Sequence, residues 1–299
     1  MEKSTLLWVG ETFFYILLFF ILFIISKIIF KFRNRKINLD NELTTKDNVA
    51  FSILTTGYFI GILIIFLGVI QGESYGYIND ALLVLSYGLF GNLLLVISSI
   101  FNEKVVFAKK FKLYKEIIKD ENNGTGFIEA ANFIGSSLII YGAINGKAIN
   151  MFPSLEKVGL YISGFISLLI FWLIGQFILF IFLQIYKKIS KYNILEEIEK
   201  DNVAVGIVYA SIFVSISYLY SQAIKGDIIS WFLTLENVFY YMGLGIILLP
   251  ISRVVVDKII LPNSSLTDEI VNQKIPNQGA ALIEAFAYLG SAILISYCI

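Results

Sequence analysis

The sequence predicts an all-α, polytopic membrane protein of about eight transmembrane helices, arranged as two parallel four-helix repeats. Three observations carry this: long uninterrupted apolar runs, basic residues confined to alternate connections, and segments that recur at a fixed offset.

The chain of 299 residues is 57% hydrophobic and only 15% charged, against about 25% charged in soluble domains. Its apolar residues gather in runs such as TFFYILLFFILFIISKIIF (12–30) and YFIGILIIFLGVI (58–70). About 20 apolar residues in a helix cross a hydrocarbon core about 30 Å thick. Membrane β-strands would instead alternate over about ten residues. Eight spans are expected near 5–30, 48–70, 80–101, 124–144, 157–185, 203–224, 231–251 and 278–298. The first is too long for a signal-peptide core and lacks a small-residue cleavage site, so it reads as a retained helix.

The connections give the orientation. Loops 31–47, 102–123, 186–202 and 252–277 hold eighteen Lys and Arg, and the opposite side holds four. The positive-inside rule places these four loops in the cytoplasm and both termini outside. The stretch VVFAKKFKLYKEII (105–118) spaces Phe107, Phe111, Tyr114 and Ile118 helically, with lysines on its other face. It reads either as a helical extension of the third span or as a basic amphipathic segment that docks a peripheral cytoplasmic protein.

KDNVAFSI (46–53) returns as KDNVAVGI (200–207), and NNGTGFIEA (122–130) as NQGAALIEA (277–285). Residues 1–150 and 151–299 are therefore expected to be two copies of one unit. An even number of spans per copy inserts both the same way up. A fainter echo inside each half, Asp47-Asn48 against Glu121-Asn122 and Phe59-Ile60-Gly61 against Phe133-Ile134-Gly135, divides the chain further into four two-helix hairpins.

An acidic residue and asparagine before Ala or Gly, followed by a glycine-bearing span and present in tandem, resembles the bacterial YjfL-type membrane proteins, known as domain-of-unknown-function family 350. The resemblance covers 45–146 and 199–299. It implies an inner-membrane protein of several hairpins, no established activity, and a setting near envelope-stress and polyamine-related genes. Ser215 and Gln222 stand where the first copy has Gly61 and Gly68, so the resemblance does not carry close helix packing to that span.

Two features could carry chemistry. Asn48, Asn122, Asn202 and Asn277 open spans at the predicted cytoplasmic end, as helix N-caps or as a ring around a vestibule. Glu129 and Glu284 each lie seven residues beyond their asparagine, roughly 10 Å into the membrane. An acid at such depth costs roughly 2.5–3.5 kcal/mol on insertion scales and is by default a functional candidate. The pair could line a shared cavity that binds a cation or relays protons. Each could instead be buried, protonated glue between helices, or lie at a water boundary if the spans start later. Asn132 sits on a neighbouring part of the Glu129 face, Asn92, Gln176 and Gln222 suit helix–helix bonds, and Glu11 and Asp80 suit span boundaries.

With no histidine and one cysteine, Cys298, histidine-ligated metals, histidine acid–base catalysis and disulfides within the chain are excluded. Nucleophile–base pairs, phosphate loops and metal motifs are absent, so neither an enzyme nor a cofactor is expected, nor nucleic acid as a partner. Two functions are expected from the residues: a small-ion channel or transporter whose polar path runs past Glu129, Glu284 and the four asparagines, or a scaffold that recruits a cytoplasmic protein through 104–119. The lipid bilayer and further copies of the chain are the remaining expected partners.

Overall fold

A computed structural model describes residues 5–72, 74–106, 114–146 and 160–299. Eight of its helices are long and apolar enough to cross a membrane, and the described residues contain no β-strand. They are α1 (Thr5–Arg33), α3 (Val49–Ile70), α4 (Tyr77–Phe101), α5 (Asn123–Ile144), α6 (Leu160–Ile189), α8 (Val203–Ile224), α9 (Trp231–Ile260) and α10 (Gln278–Cys298). Short helices α2 (Leu39–Thr44) and α7 (Ile194–Glu199) precede α3 and α8; wide five-residue turns, Lys115–Lys119 and Asp268–Asn272, precede α5 and α10.

The second helix of each hairpin forms one continuous row, α3–α5–α8–α10. The first helices flank it: α4 bridges α3 and α5, α6 bridges α5 and α8, and α9 bridges α8 and α10, whereas α1 touches only α3 and α4 among the long helices that it packs on closely. The α8 span is 83% buried, the α1 and α9 spans 22%, which puts α8 inside the protein and leaves α1 and α9 largely to lipid.

Lipid tails are as apolar as leucine, so helices associate through close packing and hydrogen bonds rather than through hydrophobic burial. Glycine supplies the approach along the row. A Cβ on Gly57 would overlap the Ala130 backbone of α5, and one on Gly142 would meet Ser221 of α8 at 2.6–2.9 Å. The departure at Ser215 does not loosen the row. Ser215 is fully buried, and α8 packs along α10, whose Ala280, Ala281, Ala285, Ala287 and Ala292 are buried.

Polar side chains fasten the flanking helices. Tyr58 Oη donates to Asn92 Oδ1 (2.7 Å), while Asn92 Nδ2 donates to Ser26 Oγ (2.9 Å), the helix–helix role expected of Asn92. Asp80, in the first turn of α4 at the end of its span, is buried and accepts from Tyr15 Oη, Ser74 Oγ and the Tyr75 amide. The amphipathic reading of 105–118 falls largely on residues outside those described. Within the part that is described, Ile118 is buried and Tyr114 exposed.

Candidate functional site

All four asparagines are helix N-caps. Each side-chain oxygen accepts the amide three residues on: Phe51, Thr125, Val205 and Ala280, at 2.9–3.1 Å. Each side-chain nitrogen donates to a glutamate in the preceding short helix or turn: Glu42 for Asn48, Glu116 for Asn122, Glu197 for Asn202 and Glu269 for Asn277. Those glutamate carbonyls in turn accept the asparagine amides. The turn needs a left-handed residue just before the first three caps, supplied by Asp47 (φ 51°), Glu121 (φ 51°) and Asp201 (φ 59°). At the fourth stands Pro276, whose ring fixes φ near −65°, and the turn from Glu269 to the cap is longer.

The same nitrogens also latch each hairpin to the next. Asn48 Nδ2 donates to the Ile117 carbonyl (2.9 Å), Asn122 Nδ2 to that of Ile198 (2.6 Å), and Asn202 Nδ2 to that of Ile270 (3.0 Å). The asparagines are therefore strung along a row and engaged in protein bonds. The glutamates that anchor them were not singled out from the sequence because their spacing to the cap varies from five to eight residues.

The structure does not bring Glu129 and Glu284 together. α8 lies between their helices, and their hydrogen-bond partners do not overlap. Glu284, 1% exposed, takes Arg253 Nε at 2.6 Å and Nη2 at 3.4 Å, with Tyr288 Oη at 3.3 Å. This corrects the expectation that Arg253 belongs to a loop: α9 continues through Pro250 to Ile260 and carries Arg253 beside α10. A 230 Å³ cavity, lined mostly by apolar side chains such as Ile216 and Leu249, adjoins Arg253 and Tyr288.

Glu129 is fully buried and has no guanidinium bonded to it directly. Ser99 stands where Arg253 stands in the second half, 154 positions earlier. Its hydroxyl donates to Glu129 Oε2 (3.2 Å) and accepts from Arg33 Nη2 of α1 (2.7 Å). At the same offset Arg33 corresponds to Lys187, a half-buried lysine in the last turn of α6. The same acid is thus served from a different helix in each half, through a hydroxyl in one and directly in the other.

Around Glu129 several buried polar atoms lack partners: its own Oε1, Asn132 Nδ2 and Thr125 Oγ1. The Asn132 amide nitrogen faces the carboxylate at the margin of hydrogen-bond geometry. Further along α5, Ser136 meets Asn132 Oδ1 (3.5 Å) and accepts from Gln176 Nε2 of α6 (3.1 Å). Trp172 Nε1, also on α6, donates to Ser98 Oγ (3.0 Å). Thr125, Glu129, Asn132, Ser136 and Gln176 form a buried polar column that starts near the basic-loop end. Ser136 lies roughly 21 Å along the helix from Asn122 at 1.5 Å per residue.

A family model described as Domain of Unknown Function (DUF350) matches the chain twice, over 4–144 and 160–299. The chain belongs to this family. It is also 28% identical over 285 residues to a UPF0719 transmembrane protein of Aquifex aeolicus (strain VF5), covering 94% of this chain and 97% of that one. No solved structure matches. The two matches coincide with the two halves that share the asparagine caps and the buried glutamates. The chain is a multi-pass membrane protein with an internal repeat.

Proposed function

We propose that this membrane protein relays a proton through Glu129, as one step in moving a small cation across the bilayer. The observation that supports the reading is the fully buried Glu129 Oε1, which has no close hydrogen-bond partner and only a marginal approach from the Asn132 amide. A buried polar atom left without a partner costs about 1–3 kcal/mol, and native proteins keep such atoms mainly where they serve a purpose.

The chemistry follows from the two ends of the carboxylate. Ionised, Glu129 is held through Ser99 Oγ, which Arg33 polarises from the basic-loop end. Protonated, its Oε1 hydroxyl can donate to the next acceptor along the column, toward Asn132 Oδ1 and Ser136. Arg33 is only half-buried, so it connects the column to the surface. By the orientation that the basic loops give, that surface is cytoplasmic. Glu284 takes no part: with a guanidinium across both of its oxygens it is a fixed anion.

Proton entry into proteoliposomes, driven by an imposed potential and read with an internal pH dye, tests this. Wild type should acidify the lumen and Glu129→Gln should not, while a Glu284→Gln/Arg253→Gln chain should match wild type. Equal entry for wild type and Glu129→Gln ends the proposal. Sodium and potassium gradients in place of the proton gradient identify the ion if another cation uses the same column.

A further inference from the structure

The row α3–α5–α8–α10 has two unlike ends, and each end lacks what the other supplies. Three successive hairpins are joined by one bond type: the cap asparagine donates to the carbonyl of the residue that follows the next hairpin's anchoring glutamate (Ile117, Ile198, Ile270). In the first hairpin that residue is Leu43, after Glu42. In the last, Asn277 is exposed and its side-chain nitrogen bonds its own Glu269. We infer that a second copy of this chain docks head to tail, with α10 of one copy against α3 of the next, continuing the row across the boundary between molecules.

Three further features fit the same contact. The Asp201 carboxylate faces the amides of Asn123 and Gly124 at the start of the preceding hairpin's helix α5. Its counterpart Asp47 is exposed, and so are Gln278 and Gly279 at the start of α10. Across the contact, Asp47 of one copy would receive those two amides of the other.

The helix faces also correspond. In the first hairpin Gly57, Gly61 and Gly68 meet α5; in the second Gly135 and Gly142 meet α8. Counted from the cap, the matching positions of α10 are Phe286, Gly290 and Tyr297. Phe286 is 68% exposed and Tyr297 84%, and a Cβ on Gly290 would meet only Phe286 of its own helix. On the other side, Ala130 and Tyr141 of α5 press on α3. Their counterparts on α3, Thr56 and Leu67, are exposed together with Ile60 and Leu63. Finally, α4, α6 and α9 each bridge two helices of the row, whereas among the described residues α1 packs closely on α3 alone of it. Its other flank would lie on α10 of the neighbour.

Lipid and water could cover both faces, but neither continues the repeated pairing of a cap asparagine with the next hairpin's carbonyl that joins the other hairpins. The contact is heterologous, so it closes into a ring or runs on as a filament according to the rotation per step.

The test is oxidative cross-linking in native membranes, in a Cys298→Ser background. Thr56→Cys and Phe286→Cys are placed at the counterparts of Ala130 and Gly57, which touch inside the chain. A chain with both cysteines should give dimers and higher species. Membranes co-expressing the two single variants should give dimers only, and either variant alone none. Absence of cross-links from the double variant, or equal cross-linking of a single variant with itself, overturns the inference. As a second reading, the wild-type mass in lipid nanodiscs should be a multiple of 33.8 kDa, and Gly290→Trp should reduce it to one chain without lowering Tm. A wild type of single-chain mass also overturns it.

Discussion

Removing Arg253 isolates the contribution of the direct ion pair that the described spans of the second half contain. Glu284 is 1% exposed and Arg253 23% at the side chain, with 2.6 Å between Oε1 and Nε. Opposite charges about 4 Å apart attract by about 4 kcal/mol at an effective dielectric constant near 20. Arg253→Ala leaves a buried carboxylate with only Tyr288 as donor, and breaking a buried pair in this way costs about 3–5 kcal/mol. Glu284→Gln should cost less, about 1–3 kcal/mol, because the half-exposed guanidinium can turn to water and to Thr267, which already accepts from it at 3.0 Å. The double variant should then be less damaged than the sum, with a coupling of about 2 kcal/mol. Reversible unfolding in mixed micelles across the four chains of the cycle measures it. Hydrogen bonds between membrane helices average about 0.6 kcal/mol. A coupling at or below that value would show that the charges contribute no more than an ordinary polar contact, and would refute the ion-pair argument.

The other predictions use the same unfolding assay unless stated. Gly57→Leu drives a side chain into the Ala130 backbone and should cost about 1–3 kcal/mol or more, as overpacking does; an unchanged midpoint would show that the α3–α5 contact is not tight. Asn122→Ala removes a cap, worth about 1 kcal/mol, and one of the two bonds to the Ile198 carbonyl, which keeps the Asp201 amide, for a further 0.5–1.5 kcal/mol or so. Asn277→Ala, measured on dilute single chains, should cost about the cap alone, so equal losses would contradict the latch. Ser99→Arg together with Arg33→Gln, so that one guanidinium faces the acid, gives Glu129 the direct counter-ion that Glu284 has and should abolish proton entry into proteoliposomes while the chain stays folded; undiminished entry would count against a titrating Glu129.

Eight spans, their helical nature and the twofold repeat were legible because lipid imposes a length and a composition on anything that crosses it. The weaker fourfold echo was legible too, since the four caps do the same job in four hairpins. The charge partners of the two glutamates were not. Arg33 and Arg253 read as loop residues because they stand at the ends of apolar runs, yet α1 and α9 continue as helices to Arg33 and past Arg253. A comparison of residue 99 with residue 253 would have exposed the exchange of serine for arginine, but only a reader already asking what neutralises each acid would make it. That α8 separates the acids is a matter of packing order, which repeat offsets do not encode.

The relocation of the arginine has a consequence for the history of the chain. Two halves of a duplicated gene can repair or replace one another by recombination as long as they remain equivalent parts. Here, copying α4 over α9 would leave Glu284 with no cation, and copying α9 over α4 would crowd two guanidiniums, Arg33 and a new one, onto Glu129. Either exchange is penalised inside the membrane, where stray charge is costly. The halves have become left and right members of a pair, each fitted to its own place and no longer a spare for the other.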